Sequence, residues 1–282
     1  MKQSYIDVPT KLITTSEGVQ YAYRDMDEHA GIPIVALNHL SANLDNWDPA
    51  IIDGLAADWR VITFDYQGVG QSDGQVPTSI KMMATNTMRF IEALKLEKVI
   101  LFGFSMGGMV VQELLVMAPQ LVESVILAGT GPRGGTGIEA VTRVSDQALI
   151  RSILSLRDVK ATLFFTNTPN GQQAASAFLT RLKLRQQSRD RRISWWAYRR
   201  QLRAIRQWGL DSRLDLINVK QPVLIINGDH DIMVPTEPNT ADLHHELINS
   251  RMIIYPDAGH GSIAQYHETF VKSALAFLNE NG

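Results

Sequence analysis

Val99-Ile100-Leu101-Phe102-Gly103-Phe104-Ser105-Met106-Gly107-Gly108 runs from a fully apolar strand through Gly-x-Ser-x-Gly into an apolar helix that continues Met109-Val110-Val111. A serine on so tight a strand-to-helix turn has its hydroxyl pushed out of the sheet, and small residues two before and two after it avoid clashes in the strained conformation. The next backbone N–H, that of Met106, then lies at the helix N-terminus, where it can donate to an oxyanion with help from the helix dipole. A Gly-rich segment can also be a plain flexible turn, but the strand before it and the helix after it favour the chemical reading.

Outward from this stretch, Pro33 to Leu37, Val61 to Phe64, Val125 to Ala128 and Val223 to Ile226 are further short apolar runs, and Arg251 to Tyr255 is one more strand. Runs of this kind are expected of parallel strands buried on both faces. Helical periodicity falls between them at Pro49 to Asp58, Ser79 to Lys95, Met106 to Met117, Glu237 to Ile248 and Ile263 to Leu278. The alternation predicts an open α/β sheet with right-handed crossovers. Lys11 to Thr15 and Val19 to Tyr23, either side of Ser16-Glu17-Gly18, predict a β-hairpin at the start. Between Gly129 and Pro222 the periodicity is helical with no convincing strand, which is too long for one crossover and predicts a helical insertion over the sheet.

At the level of the whole chain, 282 residues at 45% hydrophobic and a net charge of -2 describe an ordinary globular protein and exclude disorder, a coiled coil or a collagenous repeat. The absence of cysteine excludes disulfides, zinc-thiolate and iron–sulfur sites and a thiol nucleophile. Residues 1–27 hold no apolar stretch of signal-peptide length and no later window approaches about eighteen uninterrupted apolar residues. A cytoplasmic protein without a membrane partner is therefore the expectation.

The serine turn and its surroundings resemble the α/β-hydrolase superfamily, in the branch of serine esterases, lactonases and non-haem haloperoxidases, and the resemblance extends over essentially the whole chain. It implies a mostly parallel twisted sheet flanked by helices, with a helical cap inserted before the acid-bearing strand. The core would comprise 1–132 and 213–282, and the cap 133–212. The resemblance also implies a Ser, acid, His triad in that order. Ile225 to Pro235, with Gly228-Asp229-His230-Asp231, looks like the family's acid loop; Asp231 is the expected acid and Asp229 the competitor, Val234-Pro235 favouring the later position. After the preceding strand, Gly129-Thr130-Gly131 offers no carboxylate. His260, between Gly259 and Gly261, is the expected base of Ser105.

The family's His-Gly-x loop is matched by Asn38-His39-Leu40, with Trp47 marking the register, so Leu40 N–H is the expected second oxyanion donor beside Met106. Asn38 and His39 depart from that pattern, and His39 is expected at the pocket mouth. Asp65-Tyr66-Gln67-Gly68-Val69-Gly70-Gln71-Ser72 resembles the family loop Asp-x-Arg-Gly-x-Gly-x-Ser, with Gln67 in place of Arg. Phe104, Phe164 and Trp195 are candidate pocket residues, Phe164 with Leu163 and Phe165 as part of its roof.

Other signals carry less. Gly129-Thr130-Gly131-Pro132-Arg133-Gly134 has the form of a dinucleotide fingerprint, but no second strand ending in an acid follows at the required distance. Adjacent His244 and His245 point about 100° apart on a helix and fit a solvated face rather than a metal site. Arg181 to Arg206 carries Arg181, Lys183, Arg185, Arg189, Arg191, Arg192, Arg199, Arg200, Arg203 and Arg206 against the single acid Asp190, with Trp195, Trp196 and Tyr198 among them and Trp208 beyond. Arginines solvating one helix face while aromatics pack the other is the preferred account; an anionic substrate or partner steered to the cap is the alternative. Nucleic-acid binding is not expected at this net charge.

The function implied is hydrolysis of carboxylic esters or lactones through an acyl-enzyme, with no cofactor and no metal, by a monomer or homodimer. A carbon–carbon bond hydrolase, a cofactor-free perhydrolase and a slow-turnover small-molecule receptor are the alternatives, since fold does not fix function. Serine at the elbow argues against the alkyl-ester chemistry that requires aspartate there.

Overall fold

The computed structural model describes residues 3–26 and 29–281; positions 1, 2, 27, 28 and 282 of the expected core lie outside the described residues. Eight strands, β1 (Lys11–Thr14), β2 (Gln20–Met26), β3 (Ile34–Leu37), β4 (Val61–Phe64), β5 (Val99–Phe104), β6 (Val122–Ala128), β7 (Val223–Gly228) and β8 (Ser250–Tyr255), form one sheet in the order β1-β2-β4-β3-β5-β6-β7-β8. β1 and β2 make the expected antiparallel hairpin, Lys11 opposite Tyr23, and β2 runs antiparallel to β4; from β4 to β8 the pairing is parallel.

The apolar runs are explained by burial on both faces. Along β5, Val99 and Leu101 join one hydrophobic cluster with residues of α2 (Ile80–Ala93) and α3 (Met106–Met117), whereas Ile100, Phe102 and Phe104 join a second with α1 (Pro49–Leu55) and the C-terminal helix. β6 and β7 divide the same way, residue by residue. β8, at the sheet edge, has half of its residues exposed, which accounts for its weaker sequence signal.

The interval between β6 and β7 folds as α4 (Val141–Ser155), α5 (Val159–Phe164), α6 (Pro169–Arg181) and α7 (Trp195–Leu210). α8 (Thr236–Glu246) follows β7, and the expected last helix divides into α9 (Ser262–Gln265) and α10 (His267–Asn281). On α8, His244 pairs through Nδ1 with Ser250 Oγ at 2.8 Å.

The arginine run is a solvated face only in part: Lys183, Arg191, Arg192, Arg203 and Arg206 are exposed, while others bond the rest of the fold. Arg181 grips Asp48, the N-cap of α1, with Nε and Nη2 at 2.8 and 2.6 Å. Arg185 is buried and donates to the carbonyls of Tyr5, Ile6 and Val8 at 3.3, 3.1 and 2.9 Å. Arg189 and the Asp190 N–H meet Asp45 Oδ2 at 3.3 and 2.8 Å, and Asp45 is itself held by buried Arg24 at 2.5 Å. Arg200 donates to the Val76 carbonyl, while Arg203 and Arg206 remain exposed. The inserted segment crosses the N-terminal half of the fold here, so Arg181, Arg185, Arg189 and Arg200 serve as tertiary ties; helical spacing alone does not reveal such distant partners. Asp65 and Asp190 also converge beside Gly70, and burial together with the neighbouring Asp190 carboxylate raises the Asp65 pKa well above the ordinary range.

Candidate active site

Ser105 lies between β5 and α3 with φ 56° and ψ -116°, a conformation L residues rarely adopt. Close packing enforces the small neighbours. A Cβ at Gly103 would lie 2.6 Å from Gly108 Cα, and one at Gly107 would strike the Leu37 carbonyl. Ser105 N–H donates to Ala128 O at 2.8 Å, which ties the turn to β6.

His260 Nε2 is 2.7 Å from Ser105 Oγ, and His260 Nδ1 is 2.7 Å from Asp231 Oδ2. The second oxygen of Asp231 accepts the N–H groups of Met233 and Val234 at 2.8 and 3.0 Å, so the carboxylate is fixed from both sides. With Nδ1–H directed to the carboxylate, Nε2 presents its lone pair to the serine hydroxyl. All three side chains are buried. Asp229 points elsewhere: it pairs with exposed His230 at 2.6 Å and accepts from the N–H groups of Asp257 and Ala258.

Met106 begins α3, where a backbone N–H has no intrahelical acceptor. Leu40 lies in the loop after β3, shaped by its polar neighbours. Asn38 donates to Asn43 O at 2.8 Å and accepts the His39 N–H at 2.9 Å. His39 Nδ1 is 2.8 Å from Leu40 O, and since a carbonyl can only accept, the proton is on Nδ1. The His39 ring lies edge-on to Phe104 and Phe164 at 5.2 and 5.0 Å, with Nε2 buried and unpartnered. Burial, with Lys160 and His260 nearby, lowers the His39 pKa to about 3. His39 therefore stays neutral beside His260.

A cavity of about 390 Å³ opens onto Ser105 and His260. His39, Leu40, Phe164, Leu163 and Trp195 line it, as the sequence leads one to expect, Trp195 being half exposed. Phe104 does not line it; this side chain supports the His39 and His260 rings from behind. Phe165 also lies outside the lining, turned toward Phe178 at 5.6 Å between centroids. Ser145, Leu149, Lys160, Ile193, Tyr198 and Met233 complete much of the wall. Nothing in the local sequence marks them, because five of the six come from the inserted segment, whose helices are oriented by tertiary packing.

The sequence matches a family model described as the alpha/beta hydrolase fold over residues 32–265. The chain belongs to the α/β-hydrolase family. Among structures similar to this α/β hydrolase is an alpha/beta hydrolase fold protein from Chitinophaga pinensis, with 30% identity, a TM-score of 0.92, and coverage of 98% of this chain and 99% of that one. A putative non-heme bromoperoxidase from Mycobacterium tuberculosis is 26% identical over 89% of this chain and 95% of its own length. A pimeloyl-[acyl-carrier protein] methyl ester esterase from Nitrosomonas europaea is 27% identical over 86% of this chain and 93% of its own. Among the described residues the α/β hydrolase has no helix long and apolar enough to cross a membrane and no cluster of metal-ligating side chains.

Proposed function

We propose that this α/β hydrolase cleaves carboxylic esters or lactones through an acyl-enzyme on Ser105. The observation that carries this reading is the unbroken chain Ser105 Oγ, His260, Asp231, both links 2.7 Å, at the wall of a largely apolar cavity. His260 Nε2 takes the hydroxyl proton as Ser105 Oγ attacks the ester carbon, and Asp231 stabilises the imidazolium. The N–H groups of Met106 and Leu40 receive the oxyanion. Collapse of the tetrahedral intermediate expels the alkoxide, which His260 protonates. Water, deprotonated by His260, then releases the acid and restores Ser105. Residues 133–212 act as a cap that shapes the acyl and alcohol sites, and the similarity to a methyl ester esterase is consistent with this assignment.

The test is labelling by a fluorophosphonate followed by peptide mapping, together with turnover of short methyl esters and lactones. Stoichiometric adduct at Ser105, lost in His260→Ala, and multiple turnovers abolished by Ser105→Ala are expected. An unlabelled serine in the native chain would overturn the assignment.

A further inference from the structure

Lys160, on α5, lines the same cavity as Ser105 and His260, among Leu149, Val159, Leu163 and Phe164. Among the described residues that form this wall there is no aspartate, glutamate or arginine, and His39 is held neutral. Among the described residues of the wall Lys160 is thus the one lysine or arginine, and no carboxylate of the wall stands opposite it; the charge of Asp158 acts on it from outside the lining. Asp158, the nearby carboxylate, is exposed and caps α5 by accepting the backbone N–H of Lys160 at 2.8 Å. Four arginines of the inserted segment contrast with it: Arg181, Arg185, Arg189 and Arg199 each bond a carboxylate or carbonyl of the protein. Burial lowers the Lys160 pKa, as expected of a cation short of solvation.

We propose that Lys160 recognises a carboxylate on the substrate, so that the preferred substrate is an ester or lactone carrying a second, ionised carboxyl group. This rests on the ester-hydrolase reading of the same site. A neutral substrate filling the apolar cavity would strip water from the ammonium and leave it unpaired, which is unfavourable, whereas a carboxylate would accept a charge-assisted hydrogen bond in a water-poor setting. Discrimination then comes as much from penalising the neutral ester as from favouring the charged one.

The experiment compares kcat/KM for the monomethyl esters of succinic, glutaric and adipic acids, and for carboxymethyl butyrate, with uncharged methyl esters of matched length. The native enzyme is expected to prefer at least one charged ester by on the order of ten- to a hundred-fold. Lys160→Met should collapse that ratio, mainly through KM; Lys160→Arg should keep most of it, and Lys160→Glu should turn preference toward butyrylcholine. No charge preference in the native enzyme, or a ratio unchanged in Lys160→Met and Lys160→Glu, overturns the proposal. Brisk turnover and Ser105 labelling with such an indifferent ratio would sink the lysine's role alone; no turnover and no labelling would sink the hydrolase reading and the lysine with it.

Discussion

Gln201, on α7 and fully buried, accepts the Ser41 N–H through Oε1 at 2.8 Å, although the two residues are far apart in sequence. Ser41 has φ 61° and follows Leu40 directly, so a side chain from the inserted segment fixes the backbone that carries the proposed oxyanion donor. Asn43, on the other side of that loop, donates to Arg191 O at 2.8 Å. The inserted segment therefore holds the loop at two points, Ser41 and Asn43.

Gln201→Leu keeps the volume and removes the acceptor. Since losing an oxyanion donor outright costs about a hundred- to a thousand-fold in kcat, displacing one is expected to cost on the order of tenfold, with KM little changed. Steady-state kinetics on a methyl ester check this; an unchanged kcat would show that the loop holds its shape without Gln201.

Asp231→Asn should lower kcat by about four orders of magnitude while the fold persists, because the amide can leave His260 with its proton on the wrong nitrogen. Asp229→Asn, which touches His230 and two loop N–H groups, should lower it by less than about tenfold. Equal losses in the two variants, with matched circular dichroism, would contradict the division of roles.

His39 gives stability an acid dependence of definite sign. Its folded pKa of about 3 lies below the ordinary 6.5, so the folded state binds fewer protons than the unfolded one between those values. Stability from this group is complete above pH ~6.5 and falls toward pH ~3, by about 1.4 kcal/mol per pH unit at the steepest. Urea denaturation across that range should show a shallower acid loss in His39→Gln than in the native chain; identical slopes would mean that His39 titrates normally.

Gly107→Ala places a methyl group against the Leu37 carbonyl and should cost about 3 kcal/mol or more, or prevent folding. Gly18→Ala, in the β1–β2 turn at φ +80° with open space around it, should cost only about 1 to 2 kcal/mol, the penalty of the backbone conformation itself. Thermal melts of the two variants measure the contrast, and comparable Tm losses would refute the packing argument.

Much of the proposed catalytic constellation was legible because its constraints are local. Ser105 needs its glycines in sequence, Asp231 is held by the N–H groups two and three residues on, and His260 occupies a short loop after an edge strand. Val234-Pro235 favours Asp231 over Asp229 in the sequence, and the structure shows the physical difference: Asp231 turns to His260, Asp229 to His230 and two loop N–H groups.

The amino-acid order by itself determined the strand sequence and the buried faces, through apolar runs and their interruptions, and the strained serine turn, through glycines that no larger residue could replace. What only the tertiary structure decided is how the inserted helices meet the rest: that Arg181 and Arg185 tie them to α1 and the N-terminal segment, that Gln201 reaches Ser41, and that Lys160 stands in the cavity wall. A helix's periodicity records which of its faces is apolar. Which distant carboxylate, carbonyl or cavity each polar side chain meets depends on helix orientation, and that is set by packing between segments with no shared local pattern.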